Sequence, residues 1–457
     1  MIHMSSQELF SVFPQTSLEH LDFHFSGVEI DSRKSCAEML FIALKGDSFD
    51  GHEYAAAAAS KGAVAAIVEH ELALDIPQIV VSDTRLALAR LANYWRTRIN
   101  PLVVAITGSN GKTSVKEMLG RILSSQASTL VTPGNFNNDI GVPLTLFKLS
   151  AQDRYAVIEM GANHPQEIRN LLSIAEPDVV YVNNAQAAHI QGFGSLQGVA
   201  QAKGEMYQYC NSDAIAVFNQ DEPFCDYWMS VASSQRRIRF SSQQPSDVSA
   251  KGAMLSDGIR LQLDYQQQAF TCELKVYGEH NIQNALAAIT LAIACGIDAA
   301  SCCQALQGFA GVKGRQQFVS GVNNSLIIND SYNANPGSLK AALKVLCALH
   351  GHAWLALGDM AEMGDESLQM HQTAVAEARA MGVEKLYTIG AMSCQAASLF
   401  GEDGYCFDTH EEMAHALAGQ LGEGVNLLVK GSRSAGMEKL VELITPFPIN
   451  KGANHAV

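Results

Sequence analysis

This chain has no Cys-x-x-Cys pair, no basic cluster and no apolar run long enough to cross a bilayer. Each absence removes a class of protein. Ten cysteines are scattered from Cys36 to Cys406, and the only adjacent two, Cys302 and Cys303, sit in an apolar helical stretch. The expectation is therefore a set of reduced core thiols. A formal net charge of −15 with no basic patch or stripe argues against a partner with a polyphosphate backbone, so no nucleic-acid binding is expected. The longest apolar segment, residues 285–297, is shorter than the ~20 residues a spanning helix needs and carries Thr290. No membrane insertion is expected. No basic stretch followed by an apolar one opens the chain, which leaves a cytoplasmic protein acting as a monomer as the plain expectation.

What is present is a length of 457 residues at 47% apolar content, enough for about three domains with sizeable cores. Up to about Asp83, short β-like runs at 39–44, 64–68 and 78–81 alternate with an alanine-rich helix at 54–61, which reads as a small α/β domain over 1–83. From Leu102 the alternation lengthens. Strands at 102–107, 155–160, 179–183 and 214–218 are separated by helical stretches such as 112–125 and 196–209, the pattern of a mostly parallel, doubly wound sheet. Residues 246–277 break it with period-two alternation behind Asp257-Gly258, as an antiparallel insert would. Gly311-Val312-Lys313-Gly314-Arg315 looks like a hinge. A third α/β pattern follows, with strands near 326–328, 354–357, 386–389 and 426–429. The fold class is thus α/β in three domains: 1–83, a central domain over 84–312 with an antiparallel insert, and a Rossmann-like domain over 313–457.

The most specific local feature is Gly108-Ser109-Asn110-Gly111-Lys112-Thr113, between an apolar run and an amphipathic stretch that begins at Val115. Glycines after a buried strand let backbone N–H groups and a helix N-terminus converge on an anion; Lys112 adds a point charge and Thr113 a hydroxyl for magnesium. The longer nucleotide-loop pattern wants a glycine where Ile106 stands, so this is the shorter Gly-x-x-Gly-Lys-Thr form. Its alternative is a strand-to-helix turn carrying an ordinary surface lysine. In an open parallel sheet, ligands sit beyond the carboxyl ends of the strands. Glu159 ends an apolar strand and suits magnesium held through a carboxylate and phosphates, against the alternative of a solvated strand-end glutamate. His189 follows the next strand and is either a metal ligand or a structural histidine. Lys203, on the helix after it, reads by default as a solvated lysine. Residues 132–143, with Asn135, Asn137 and Asn138, form a loop rich in amides, which suits a sugar or a carboxylate better than a cluster of Asx turns.

In this order and spacing the stretches resemble the Mur ligase family over nearly the whole chain. The resemblance rests on Asp31-Ser32-Arg33, Ala43 to Asp47, Phe49 to His52, the phosphate loop, Asn135 to Pro143, Glu159 to Asn163, Ala188 to Ser195, Lys203-Gly204-Glu205, Gly278 to Asn284, Asp330 to Pro336, Gly358 to Gly364 and Lys430 to Arg433. Two of them, residues 188–195 and Ser331-Tyr332-Asn333-Ala334-Asn335-Pro336, resemble the member that adds D-alanyl-D-alanine to UDP-N-acetylmuramoyl tripeptide.

The resemblance implies roles by position. ATP would lie on Gly108, Ser109, Asn110, Gly111, Lys112 and Thr113, with Lys112 on its β- and γ-phosphates. Thr113 and Glu159 would hold one magnesium ion, and His189 and Lys203 a second. The matching lysine of this family is often carbamylated, which turns a cation into an anion. His280, Asn281 and Asn284 would meet the adenine, although Asn281 reads equally as a helix N-cap. Arg315 and Asp330 would reach phosphate and ribose. Ser32, Arg33 and Lys45 of the N-terminal domain would hold the UDP-sugar together with Asn137 and Asn138; Tyr332, Asn333, Asn335 and Arg433 would surround the dipeptide. One departure is Asn329, where this ligase usually has aspartate; an Asn-Asp pair occurs in related ligases. The implied reaction passes the γ-phosphoryl group to the tripeptide carboxylate, after which the dipeptide amine attacks the acyl phosphate. Rivals are another amide ligase of the superfamily, a nucleotide-gated binding protein and a small-molecule kinase.

Overall fold

A computed structural model of the chain describes residues 1–14, 22–46, 48–186, 190–234 and 236–446. It has three α/β domains, each with its own sheet. In the N-terminal domain, Val28–Glu29, Leu40–Ile42, Ala65–Val68 and Gln78–Val80 form a four-stranded parallel sheet, beside a small antiparallel pair of His3–Ser5 with His24–Ser26. Both faces of the larger sheet are covered, which is why Ala65–Val68 is apolar throughout. Ala65 and Ile67 pack towards Leu88 and Leu91, while Ala66 and Val68 pack towards Cys36, Ala55 and Ala58. The helix Thr84–Ile99 then leads into the central domain. The Asp83 carboxylate accepts the Leu86 N–H at its start, and Asn100 ends it in the left-handed conformation before Pro101.

The central sheet has nine strands. Its parallel part runs Arg236–Ser241, Ile215–Asn219, Val179–Val182, Leu102–Thr107, Tyr155–Glu159 and Thr129–Val131 in spatial order. The expected antiparallel insert is there, as Val248–Leu255, Gly258–Tyr265 and Gln268–Leu274. It is no separate layer: Phe240 pairs in parallel with Val248, so the insert extends the same sheet and the same core. The second of its turns has Gln266 and Gln267 at φ 49° and 64°, the twist a tight hairpin needs, without the Asn-Gly signal that would have marked it in sequence. Ile106, where the longer loop pattern wants glycine, is a fully buried strand residue. The loop proper starts two residues later.

Gly311 and Gly314, at φ +83° and +72°, turn the chain into the third domain. Its sheet runs Gln317–Ser320, Leu326–Asp330, Val425–Lys430, His352–Gly358, Lys385–Ile389 and Gly404–Phe407; all pairs are parallel except the first. One expectation is corrected here. Cys394 and Cys406 pair as a disulfide, with Cα atoms 5.1 Å apart, and the other eight cysteines are free. The helix Ala391–Ala397 lies against Gly404–Phe407, a tertiary contact that a spacing of twelve residues does not announce. Among the described residues no helix is long and apolar enough to cross a membrane.

Candidate active site

Leu102–Thr107 lies between Val179–Val182 on one side and Tyr155–Glu159 on the other, so the chain reverses direction across the sheet at this strand. The crevice beyond the carboxyl ends there is where a doubly wound sheet takes its ligands. The glycines of the loop are required by contact. A Cβ on Gly108 would lie 2.9 Å from the Asn183 Cβ, and one on Gly111 only 2.4 Å from the Asn183 Nδ2. The helix Lys112–Ser124 has no side-chain N-cap, so its first N–H groups remain available to an anion. Lys112 Nζ donates to the Gly108 carbonyl at 2.5 Å, and burial pushes its pKa down, opposed by Glu159. The lysine is no surface side chain.

Glu159 is 2% exposed. One carboxylate oxygen accepts the Thr113 hydroxyl at 3.2 Å and the other accepts the Asn137 amide at 2.8 Å. The phosphate loop and the amide loop therefore meet on a single buried carboxylate. Lys203 is 1% exposed and donates to the Ala162 carbonyl at 3.2 Å; burial, with Lys112 adding to it, lowers its pKa to about 7. Of the sequence-predicted residues, His189 falls outside the described ones.

From the third domain, Arg315 lies over the Tyr332 ring at 4.0 Å, with its Nη2 3.4 Å from the Thr113 hydroxyl. Its Nε is buried without a hydrogen-bond partner. Asp330, at the end of its strand, pairs with Lys430 on the neighbouring strand, and Lys430 also donates to the Asn333 carbonyl at 3.0 Å. Burial lowers the pKa of both Arg315 and Lys430, with Asp330 opposing it in each case.

Two cavities follow from this arrangement. One, of about 540 Å³, is lined by Ser109 to Thr113, Asn137, Asn138, Glu159 and Lys203 on the central side, and by Arg315, Tyr332, Asn333, Asn335 and Arg433 on the other. The second, of about 140 Å³, lies behind the loop between Thr113, His280, Asn281, Asn284, Arg315 and Asp330. Asn281 is not an N-cap. It is the third residue of Glu279–Ala294, behind Gly278, and donates to the Tyr277 carbonyl at 2.8 Å. Asn329 is buried, its oxygen accepting from the Ser331 hydroxyl at 2.7 Å. Ser32, Arg33 and Lys45 line neither cavity. Arg33 is exposed and pairs with Asp31, while the Lys45 carbonyl lies 3.4 Å from Arg85 Nη2. Arg85 also pairs with Asp139 in the amide loop at 2.8 Å, and so links the N-terminal domain to it.

Sequence reasoning missed Lys116 and Lys430. Lys116 carried a faint signal, a lysine between Val115 and Met118 on the buried face of its helix; it is fully buried and donates to the Thr132 and Gly134 carbonyls at 2.7 and 3.2 Å. For Lys430 only the strand pairing places it opposite Asp330.

The chain is similar to known proteins along most of its length. It matches the Mur ligase family, catalytic domain, over residues 24–124, the Mur ligase middle domain over 106–292, and the Mur ligase, glutamate ligase domain, over 314–433. It is 41% identical to the UDP-N-acetylmuramoyl-tripeptide–D-alanyl-D-alanine ligase of Escherichia coli (strain K12), covering 93% of this chain and 95% of that protein. The ligase of the same name from Bacillus subtilis (strain 168) is 31% identical, with 93% and 94% covered. Among solved structures, MurF from Acinetobacter baumannii superimposes with a TM-score of 0.89 at 34% identity, covering 96% of this chain and 98% of that one. MurF ligase from Thermotoga maritima in complex with ADP superimposes with a TM-score of 0.79 at 25% identity, covering 91% and 96%.

Proposed function

Because the chain belongs to the Mur ligase family, we propose that the two cavities are the two ends of one ligase active site, nucleotide behind the loop and reacting groups in front of it. The chain is an ATP-dependent amide ligase of peptidoglycan precursor synthesis. It joins D-alanyl-D-alanine to UDP-N-acetylmuramoyl-tripeptide through an acyl phosphate and releases ADP and phosphate. The observation that carries the site assignment is that Lys112, the Thr113–Glu159 pair and Lys203 share one cavity with Tyr332, Asn333 and Arg433 from another sheet.

A carboxylate is a poor electrophile, and phosphorylation gives its oxygen a leaving group. Lys112 holds the phosphates against the loop amides, and Arg315, with its unpaired Nε, offsets charge as one anion approaches another. His280, Asn281 and Asn284 bind adenine and Asp330 the ribose. A buried carboxylate beside a hydroxyl suits magnesium, so Thr113 and Glu159 hold one ion. A second belongs to His189 and Lys203, the latter as a carbamate: the neutral amine adds to carbon dioxide and loses a proton, for which a pKa of about 7 is well placed. Bound there, magnesium supplies charge neutralisation at the phosphoryl oxygens. Asn137 and Asn138 receive the sugar-peptide from the N-terminal domain, where Ser32, Arg33 and Lys45 hold the UDP-sugar. Tyr332, Asn333 and Arg433 orient the dipeptide. The working unit is a cytoplasmic monomer without a nucleic-acid partner, divided at 83/84 and 312/313.

Incubation with ATP, magnesium, UDP-N-acetylmuramoyl tripeptide and D-alanyl-D-alanine should give the joined pentapeptide by mass and one phosphate per product. Well-folded protein that forms no such product would end the assignment.

A further inference from the structure

Asn335, a dipeptide contact by sequence reasoning, has its side chain engaged elsewhere. It is the N-cap of Pro336–Cys347: its Oδ1 accepts the Ser338 N–H at 2.9 Å, and Ser338 Oγ accepts the Asn335 N–H at 3.0 Å. Its Nδ2 points the other way, across the domain boundary, and donates to the Asn110 Oδ1 of the phosphate loop at 2.9 Å. Asn110 Nδ2 returns the contact to Asn335 Oδ1 at 3.4 Å. Asn335 is 6% exposed and Asn110 half-buried, so the pairing is partly shielded from water.

Asn110 is itself fixed from behind. Its Nδ2 donates to Gln186 Oε1 at 2.6 Å, its N–H to Asn184 Oδ1 at 2.9 Å, and its carbonyl accepts from Asn183 Nδ2 at 2.7 Å. Gly337 permits the approach, since a Cβ there would lie 2.8 Å from Gln186 Oε1. The two asparagines thus join the rigid end of one sheet to the first turn of a helix on the other. Thr113 and Asn284 line the nucleotide cavity from the central side, Asp330 and Lys430 from the third domain.

We propose that Asn110 and Asn335 form an interdomain clasp that holds the two walls of the nucleotide cavity together, with Asn335 a positioning residue and not a dipeptide contact. This rests on the reading that nucleotide lies between these domains. Neutral amides are well matched to such a role. When apart, each is satisfied by water with no charge left buried; together they contribute a modest net gain, so the clasp closes and releases reversibly.

A double-mutant cycle on binding of a non-hydrolysable ATP analogue with magnesium, read by calorimetry, tests it. Asn335→Ser keeps an N-cap oxygen but is too short to reach Asn110; Asn110→Ala removes the other half. Each single substitution should weaken binding about 3- to 10-fold, and the pair together no more than either alone, with melting temperatures unchanged. Additive losses, or Asn335→Ser binding like the unsubstituted protein, would overturn the clasp. If the unsubstituted protein did not bind the analogue, the clasp and the reading beneath it would both fall. Coupled losses in a protein that forms no pentapeptide would uphold the clasp and leave only the ligase reading refuted.

Discussion

Replacing Lys116 with methionine separates a buried lysine that organises the site from one that merely packs. The two side chains have similar length and an unbranched apolar stem, so the helix face through Val115, Met118 and Leu119 should stay filled. What disappears is an ammonium group that donates to the Thr132 and Gly134 carbonyls and stands 4.0 Å from Glu159. The Thr132 carbonyl bond is fully buried, and Thr132 Oγ1 also accepts the Glu159 N–H at 2.9 Å, so the damage reaches the carboxylate itself. An orphaned buried acceptor costs about 1–3 kcal/mol, and removing one member of a buried charged set costs about 3–5 kcal/mol. Methionine escapes the desolvation of the ammonium, which offsets part of this; the net loss should be about 2–4 kcal/mol. In a domain of roughly 200 residues each kcal/mol moves the melting temperature by about 2–4 °C, so the drop should be about 5–15 °C by circular dichroism. The KM for the UDP-linked tripeptide should rise as the Asn137 loop shifts. A melting temperature within about 2 °C of the parent would show that Lys116 is only packing.

Lys112→Ala should lower turnover by roughly a thousandfold, as loss of a phosphate-neutralising cation does, while the melting curve stays in place; retained activity would remove Lys112 from the phosphate site. Lys203→Ala should be inactive and partly rescued by a short carboxylic acid, and a fully active variant would refute the carbamate. With the Lys203 pKa lowered to about 7, the neutral amine is the minor form below that pH and the major form above it. Activity in carbon dioxide-depleted buffer should therefore recover faster at about pH 8 than at about pH 6 when dissolved carbon dioxide, not total bicarbonate, is matched between the two, and equal recovery would contradict the titration. Asp330→Ala leaves Lys430 buried without its partner and should destabilise the third domain by about 3–5 kcal/mol as well as raising the KM for ATP; a stable variant with an unchanged KM would argue against both roles.

The phosphate loop, the carboxylate after its neighbouring strand and the three-domain alternation were legible because each is local: a strand, a glycine turn and a helix follow one another directly along the chain. The insert at 246–277 was legible as antiparallel from its period of two, but its place at the edge of the central sheet was not. That depends on Phe240 meeting Val248, a pairing no periodicity encodes. Arg236–Ser241, rich in arginine, and the three-residue Thr129–Val131 do not read as strands because neither shows an apolar run. Lys203 reads by default as solvated, although it lies on the buried helix face of Val199, Ala202 and Met206, a signal as faint as the one at Lys116. The motif around Asn335 assigns it to substrate, whereas its side chain meets Asn110, 225 residues away. A partner that lies in another domain leaves no trace in the residues around it.

The charges of the site explain why such a pocket must work on anions. Lys112, Lys203, Arg315 and Lys430 are all held in it with proton affinities lowered by burial, and of these four Lys430 is the one closely paired, with Asp330. Glu159 and Glu205 are further buried carboxylates near them; the oxygens of the first are shared with Thr113 and Asn137, and those of the second accept the Gln166 and Arg169 N–H groups. An unliganded cavity of this kind is electrostatically unfavourable, since each cation has given up water for too little negative charge. On the function proposed above, nucleotide phosphates and a substrate carboxylate would supply what is missing, at the seam between two sheets. Binding energy from the anions is then available to hold the domains together and to bring two mutually repelling anions into line, which is the difficult part of making an acyl phosphate. The Tyr332 ring has Arg315 at 4.0 Å and Arg433 at 5.8 Å, so a single aromatic side chain of the cavity is in reach of two of its cations, one of them beside Thr113.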